Sequence, residues 1–362
     1  SPLVEILRTK RFWIVTMQLM IGGGLAGVAL TIPTSNFFQI TLAFFWLIAF
    51  SSATHDIAAD GFYMHALSSH DQAWMIGIRN TFYRFAILFG QGLLVMIAGK
   101  LEIWTGNVTT AWSVTFGLLG GLFIIFSIYH HSTLPLPKSD QPHPNPSLAE
   151  TVRNFINVFI SFFKKPKMSI VIIFILLYRF GEAQLVKIAP LFMLDSIEAG
   201  GLGLTTIELG FANGTIGTIM LTLGGIMGGF FAAKHGLKAW IVWMALAMKL
   251  PDLVYVFMAW AQPESYLLIN IFIAIEQFGY GFGFTAYLLF MMMISEGEHK
   301  TAHYAICTGF MALGMMIPGM FSGALQESIG YYHFFIWVMV ATIPGLILIK
   351  FLPIDSNFGK KE

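Results

Sequence analysis

The stretch SIVIIFILLYRFGEAQLVKIAPLFML (169–194) contains 26 residues, of which only Arg179, Glu182 and Lys187 are charged. A helix needs roughly 20 mainly apolar residues to cross a bilayer core about 30 Å thick, so this stretch is long enough to span a membrane. Ionisable groups at that depth are costly unless they meet water, solute or one another. The stretch therefore predicts a transmembrane helix whose charged side chains face an interior.

The composition of the whole chain fits an integral membrane protein. Hydrophobic residues make up 56% of the 362 residues and charged residues 11%, and the mean hydropathy is +0.73. These values exclude an ordinary soluble domain with a charged surface. A net charge of +1 gives no basis for binding nucleic acid. The single cysteine, Cys307, excludes an intramolecular disulfide.

Ten apolar runs are long enough to cross a bilayer, which predicts an all-α polytopic transmembrane bundle. They cover approximately 12–31, 37–65, 73–99, 110–131, 169–194, 205–233, 238–259, 265–294, 301–326 and 332–352. Four runs form an N-terminal bundle (1–132) and six a C-terminal bundle (169–362), on either side of a proline-rich cytoplasmic linker (133–168). Within the linker, SLAETVRNFINVFISFFKK (147–165) predicts an amphipathic helix on the membrane surface, with Phe162 and Phe163 on its apolar side.

The basic residues are distributed very unequally between the two sides of the predicted membrane. Fourteen of the 20 Lys and Arg residues fall in loops on one side, only Lys100 falls on the other, and five lie inside spans. The positive-inside rule therefore predicts that the N-terminus, the linker and the C-terminus are cytoplasmic. Many transporters join two six-helix halves by a long cytoplasmic loop, so we expect this chain to lack the first two helices of that plan. A genuine ten-span protein is the alternative.

Two carboxylates lie close together in the second span, in SSATHDIAADGFYMHAL (51–67). Asp56 and Asp60 are four residues apart, so they share a helix face and can share a proton. Arg79 and Arg84 of the next span offer a structural alternative, in which they pack the carboxylates in an ion-pair network. Both interpretations remain open, and we include all four residues in a candidate substrate and proton pathway.

Ionisable residues in the C-terminal bundle form the second part of this candidate pathway. Arg179, Glu182 and Lys187 fall within a broad arc of one helix, and three such groups in one span are hard to explain by packing alone. Glu276 and Gln277 stand just before three glycines that permit close helix approach or unwinding. We predict that Glu276 is a proton site.

Other polar pairs and small residues favour structural roles. Lys249 and Asp252 flank Pro251, which predicts a local salt bridge beside a kink. Ladders of small residues, namely Gly224/Gly228, Gly225/Gly229 and Gly319/Gly323, predict close helix crossings. The histidines and the single cysteine show no metal-ligand spacing, and neither a Walker motif nor a nucleophile arrangement is present. We therefore expect no metal, no cofactor and no enzymatic activity.

Two segments resemble the AmpG-type muropeptide permeases of the major facilitator superfamily. SPLVEILRTKRFWIV (1–15) is similar to the cytoplasmic loop after that family's second helix, and FSSATHDIAADGFYMHAL (50–67) resembles its fourth-helix signature, including Asp56 and Asp60. GGFFAAKHGLKAW (228–240) departs from the superfamily's loop between helices eight and nine, because Lys234 and His235 replace an acidic-basic pair.

The resemblance implies a major facilitator fold and proton-coupled import of anhydromuropeptides across a bacterial inner membrane, by alternating access. It also implies that Asp56 and Asp60 are the functional carboxylates of the N-terminal half. The partners would be a small solute, protons and the lipid bilayer, and we expect a monomer. Acetyl-CoA transporters share the Asp motif, so an acyl-CoA or another organic anion is an alternative solute. A membrane sensor that transports nothing is the alternative from another class.

Overall fold

The computed structural model describes residues 8–66, 82–83, 85–135, 148–297, 299–355 and 358. In these ranges all regular elements are helical, and nine helices are long and apolar enough to cross a membrane. The membrane-crossing helices are α1 (Lys10–Thr31), α2 (Phe37–Ala66), α3 (Phe85–Thr105), α4 (Val108–Thr133), α6 (Met168–Leu194), α7 (Thr206–His235), α8 (Leu237–Ala261), α9 (Tyr266–Ser295) and α10 (Lys300–Leu348). Helix α5 (Leu148–Phe163) belongs to the linker. The predicted all-α polytopic bundle is confirmed.

Helix α10 accounts for two of the ten predicted spans. It contains 49 residues, which at 1.5 Å per residue is roughly 74 Å, more than twice the thickness of a bilayer core. Gly330 interrupts it with a non-helical backbone (φ 72°, ψ 167°). The residues on either side of Gly330 therefore form separate crossings, in agreement with the predicted runs 301–326 and 332–352.

The predicted end of the third span is wrong by six residues. The sequence places Lys100 in a loop, whereas α3 continues to Thr105 and ends at Gly106, whose φ of 65° is left-handed. Asn107 then begins α4 by accepting a hydrogen bond from the N–H of Thr110. Long polar side chains at a helix end can reach the membrane surface, so Lys100 does not stop the helix. The start of the predicted run, 73–81, lies outside the described residues.

Contacts divide the chain into two units, Ser1–Val152 and Arg153–Glu362. In the first unit α1 packs against both α2 and α4. In the second unit α9 packs against α7 and α8, while α10 packs against α6. The second unit has two apolar cores rich in aromatic and methionine side chains, and the ionisable residues of the C-terminal bundle lie on the helices that enclose these cores.

Glycines hold α9 closely between α7 and α8. A Cβ atom at Gly281 would collide with the carbonyl oxygen of Leu221 in α7, and one at Gly279 with that of Ala247 in α8. Helix α9 is nevertheless continuous from Tyr266 to Ser295. These glycines therefore serve close crossing rather than unwinding, which brings polar residues of α8 and α9 near one another.

The predicted glycine ladders are only partly contact points. Gly224 and Gly228 of α7 face backbone carbonyl groups of α9, so close crossing is confirmed there. Gly319 lies at ordinary van der Waals distance from α6, whereas Gly229 and Gly323 have open space where a Cβ atom would lie. Glycines spaced four residues apart thus lie on one face of a helix, but the spacing does not indicate which turns of that face contact a neighbouring helix.

The segment predicted as an amphipathic helix is helical as α5, and its apolar side chains fall on two faces. Phe162 is fully buried and packs against the rings of His303 and Phe310 in α10. Phe163 also contacts the ring of Phe310, but it is half exposed, as are Ile156 and Ile160. Helix α5 therefore has an apolar face toward α10 and a second, exposed apolar strip, because both a protein neighbour and a membrane surface favour such residues.

Lys165 follows α5 and caps the end of α9. Its ammonium group donates hydrogen bonds to the carbonyl oxygens of Ile294 (2.6 Å) and Glu296 (2.8 Å). Ile294 lies in the last turn of α9 and Glu296 directly follows the helix, so Lys165 binds carbonyl groups at a helix end, where a cation also complements the helix dipole. Partial burial is the main cause that lowers the pKa of Lys165 below its ordinary value. The contact anchors the end of the linker to the C-terminal unit.

Candidate functional site

A break in α6 sets up the candidate site. Arg179 leaves the helical conformation (φ −105°, ψ 14°) and separates the segments Met168–Tyr178 and Phe180–Leu194. Close packing accompanies the break, because a Cβ atom at the neighbouring Gly181 would lie 2.7 Å from the carbonyl oxygen of Val338 in α10. Glu182 lies in the first turn of the second segment. The start of a helical segment favours a negative charge there.

Glu182 is the centre of a buried ion cluster. The ammonium group of Lys249 in α8 donates a hydrogen bond of 2.9 Å to its Oε2 atom, and the Nε atom of Arg179 lies 3.8 Å from the same oxygen. Glu182 and Lys249 are each only 1% exposed. Two cations and a helix start therefore stabilise the ionised carboxylate.

Aromatic rings complete the surroundings of the two cations. The Arg179 guanidinium donates a hydrogen bond to the hydroxyl group of Tyr280, and its Cζ atom lies 4.8 Å from the ring centre of Phe284. The Lys249 ammonium lies 5.1 Å from the ring centre of Tyr178. Such cation–π contacts offset part of the lost hydration of a buried cation.

Lys187 does not join this cluster. Its side chain is exposed, and its alkyl part lies near Gly319 of α10. The structure thus brings together Arg179 and Glu182 from the predicted arc, but not the third member. A lysine can bury its stem and keep its ammonium group in a polar environment, so a place in an apolar run does not by itself imply an interior charge.

The predicted salt bridge between Lys249 and Asp252 is wrong. Lys249 reaches across to Glu182 on α6, and among the described residues it forms no ion pair with Asp252. Pro251 lies in a 3₁₀ turn between them, as part of Leu250–Asp252. Lys249 pairs instead with Glu182, which lies in the first turn of a helical segment on another element. A local sequence pattern contains no information about such a partner.

Asp252 is buried with an unsatisfied carboxyl oxygen. It is 3% exposed, and within the part of the chain that the structure describes its Oδ2 atom has no hydrogen-bond partner. It interacts electrostatically with two carboxylates, Glu182 and Glu276, and with the ammonium group of Lys249. A buried carboxylate in this position costs more free energy than one that receives hydrogen bonds.

Glu276 of α9 is the third buried carboxyl group. Its Oε2 atom accepts a hydrogen bond of 2.9 Å from the side-chain amide of Gln277 and a longer one, 3.5 Å, from the hydroxyl group of Tyr255. It is 4% exposed and interacts electrostatically with Glu182. The sequence missed Tyr255, whose position in an apolar run carries no signal of its own.

The cluster contains more anionic than cationic groups. Three carboxyl groups (Glu182, Asp252 and Glu276) and two cations (Arg179 and Lys249) lie on α6, α8 and α9 of the C-terminal unit. If all five were ionised, two positive and three negative charges would leave one negative charge in excess. Buried charges are stable only when they are paired, so this cluster is suited to hold one additional proton or another small cation.

The N-terminal candidates are only partly described. Asp56 is exposed on α2 and takes part in polar interactions. The side chain of Asp60 and the residues Arg79 and Arg84 lie outside the described residues, so their predicted network stays a prediction. His55 is partly buried beside Asp56, and it also interacts electrostatically with His130 of α4.

The described residues contain no group of three or more His, Cys, Asp or Glu residues that could hold a metal ion. The ionisable cluster of the C-terminal unit mixes cations with carboxylates, and the Lys249 ammonium and Arg179 guanidinium groups pair with Glu182. The arrangement is suited to binding and releasing protons and polar groups.

Sequence comparison relates the chain to bacterial permeases, although no protein-family model matches it. The anhydromuropeptide permease of Escherichia coli strain K12 is 22% identical, over 99% of this chain and 71% of that protein. A Rickettsia conorii protein named as transporter AmpG 4 is also 22% identical, over 99% of this chain and 84% of its own length. A Rickettsia typhi protein named as transporter AmpG 2 is 24% identical, over 90% and 74%. The predicted resemblance to AmpG-type permeases is confirmed.

Structure comparison identifies the fold. Two crystal structures of a bacterial homologue of the human lysosomal transporter Spinster match with TM-scores of 0.67 and 0.65, at 16% and 15% identity. They cover 95% and 94% of this chain, and 82% and 81% of the other. The chain therefore has the helical fold of major facilitator transporters. The apolar helices and this fold make it an integral membrane protein, and its relatives are named as permeases or transporters rather than as enzymes.

Proposed function

We propose that this chain, a relative of AmpG-type permeases with a major facilitator fold, is a secondary active transporter that imports a sugar–peptide of the anhydromuropeptide type. Import would be driven by protons across a bacterial inner membrane, with the N- and C-termini of this chain in the cytoplasm. The solute class is taken from the relatives, because the Escherichia coli protein carries that name. The coupling is taken from the chain's own buried charges.

The buried ion cluster is the observation that carries the proposal. Charged residues at the centre of a membrane helix cost about 2.5–3.5 kcal/mol each on insertion scales. The cluster holds five ionisable groups on three spanning helices, all of them buried. Well-packed apolar residues of similar volume would often give equal or better stability. A requirement other than stability, such as binding protons and solute, accounts for keeping these groups.

Polar atoms beside the cluster and elsewhere on α6 and α10 support a role in solute binding. Gln277 and Tyr280 are partly buried on α9, and the indole N–H of Trp337 in α10 donates a hydrogen bond of 3.0 Å to the side-chain oxygen of Gln184 in α6. Aromatic rings beside amide groups suit a solute that combines sugar rings with peptide bonds. We propose that these residues contact the solute, while Glu182 and Glu276 belong to the proton pathway.

Proton entry supplies enough free energy for accumulation. A membrane potential of 100 mV is worth about 2.3 kcal/mol per charge, which corresponds to roughly fiftyfold accumulation at one proton per solute. Alternating access of the two halves would expose the site to each side in turn. Asp56 and Asp60 are proposed, from the resemblance alone, as the functional carboxylates of the N-terminal half.

Solute counterflow in proteoliposomes tests the proposal. Vesicles preloaded with unlabelled anhydromuropeptide should take up labelled anhydromuropeptide, and an inward pH gradient should drive net accumulation. Glu182→Gln should keep counterflow and lose accumulation, because it changes the charge balance of the cluster. Exchange of CoA esters instead would assign the alternative solute class. The absence of counterflow with either solute would contradict transport.

A further inference from the structure

We infer that Asp252 carries the coupling proton and that release of this proton weakens the ion pair between Lys249 and Glu182. The assignment deepens the proposed function, on which its transport consequences rest, and it concerns a residue that the sequence pattern favoured as half of a local salt bridge. The site is the interior of the C-terminal unit where α6, α8 and α9 meet, and its ligand is a single proton.

The charge balance requires one proton in this interior. Arg179 and Lys249 supply two positive charges, whereas Glu182, Asp252 and Glu276 supply up to three negative charges, and all five residues are buried. A buried charge without a partner is far more costly than a neutral carboxylic acid. With one carboxyl group protonated, the cluster becomes neutral.

The hydrogen bonds decide which carboxyl group holds the proton. Glu182 has Lys249 at 2.9 Å, Arg179 at 3.8 Å and the start of a helical segment, all of which favour its ionised form. Glu276 accepts hydrogen bonds from Gln277 and Tyr255. Accepted hydrogen bonds lower the cost of an ionised carboxyl group, so Glu182 and Glu276 have support that Asp252 lacks, although Oε1 of Glu182 is also without a hydrogen-bond partner in the described structure.

Asp252 has none of this support. Its Oδ2 atom is buried with no hydrogen-bond partner in the described structure, and although Asp252 begins the segment Leu253–Ala261, its side chain makes no capping hydrogen bond. The two carboxylates near it, Glu182 and Glu276, repel a charge at this position, and only Lys249 attracts it. The geometry therefore places the proton on Asp252.

Release of this proton changes the partners of Lys249. In the protonated state Lys249 binds Glu182, which joins α8 to α6. When the proton of Asp252 passes to water, a second anion appears three residues away on the helix that carries Lys249. It competes with Glu182 for the ammonium group, so the bond between α8 and α6 weakens. Proton release thus becomes a change in a contact between two membrane-spanning helices.

Infrared spectroscopy tests the proton assignment without any solute. The full chain, reconstituted in lipid at neutral pH, should show the C=O stretching band of a buried carboxylic acid, and Asp252→Asn should remove it. Asp195→Asn is the matched control, because Asp195 belongs to the same unit but is exposed and accepts a hydrogen bond of 2.6 Å from Tyr331. Loss of the band in Asp252→Asn alone supports the assignment. A band that persists in Asp252→Asn, or that is absent from the unmodified chain, overturns it.

Transport separates this inference from the proposed function. Asp252→Asn mimics the protonated acid, so it should keep counterflow while the ratio of inside to outside solute under a pH gradient falls to one. Full pH-driven accumulation in Asp252→Asn would overturn the inference and leave the proposed transport intact. Accumulation driven by a Na⁺ gradient and indifferent to pH would also overturn it. If the unmodified chain shows no counterflow, the proposed function fails and the infrared result alone judges the proton site.

Discussion

The buried ion cluster makes a specific prediction for the replacement of Lys249 by methionine, namely a large loss of stability. Methionine has a similar length but no charge, so Glu182 keeps only Arg179, whose Nε atom is 3.8 Å away. The cluster then has one cation for three carboxyl groups. Protonation of Asp252 no longer balances the remaining charges, and a negative charge stays buried without a partner.

The expected cost follows from the burial of both partners. Removing one partner of a buried ion pair typically costs about 3–5 kcal/mol, whereas replacing both partners is often neutral or even stabilising. Glu182 and Lys249 are each 1% exposed, so this pair belongs to the fully buried class. At about 2–4 °C per kcal/mol for a unit of 150–250 residues, Lys249→Met should lower the melting temperature by roughly 6–20 °C.

A thermal unfolding series in lipid nanodiscs measures this cost. We expect Lys249→Met to be strongly destabilised, Glu182→Gln to be less affected because it leaves two cations for two carboxylates, and the double variant to unfold closer to the unmodified chain than Lys249→Met does. Lys187→Met, which removes an exposed lysine, is the control and should change stability by no more than about 0.5 kcal/mol. Additive losses of stability in the double variant, or an unchanged melting temperature of Lys249→Met, would refute an ion pair between Glu182 and Lys249.

Two further predictions concern the helix packing and the linker. Gly281→Ala should lower the melting temperature, since its Cβ would meet the carbonyl oxygen of Leu221. Gly229→Ala has open space for its Cβ, so its stability should equal that of the unmodified chain or exceed it by up to about 1 kcal/mol. Equal effects of the two substitutions would contradict the packing. Because the pKa of Lys165 is lowered from 10.5, the unfolded chain binds more protons between the folded value and 10.5. Stability should therefore rise with pH in that window. Unfolding of Lys165→Met over the same pH range should show a smaller rise, because the partly buried group that titrates is gone, and an equal rise would contradict its burial.

The number and order of the membrane helices were accessible from the sequence because a bilayer imposes a minimum length on apolar runs. Even the double crossing of α10 was predictable, since the polar residues around Gly330 separate two such runs. The end of α3 was not predictable, because a lysine is equally compatible with a loop and with the end of a membrane helix, and Lys100 lies in the helix. Hydropathy locates spans better than it locates their ends.

The sequence was sufficient to predict which ionisable residues form the candidate site, but not which of them pair with one another. Arg179, Glu182 and Glu276 stood out because ionisable residues are rare in apolar runs, and all three are buried in the structure. The partner of Lys249 depends on a long-range contact between side chains of α6 and α8, and no local spacing contains that contact. The helix break at Arg179 was missed for a similar reason, because it accompanies packing of the neighbouring Gly181 against α10.

Proton movement that accompanies solute import is the most direct test of coupling through the buried ion cluster. With weakly buffered proteoliposomes, addition of anhydromuropeptide to the outside should make the external medium more alkaline in the unmodified chain, as each solute enters with a proton. The same addition to Asp252→Asn should leave the external pH unchanged although solute still exchanges. Solute uptake without proton movement in the unmodified chain would contradict the coupling, and equal proton movement in Asp252→Asn would contradict the site.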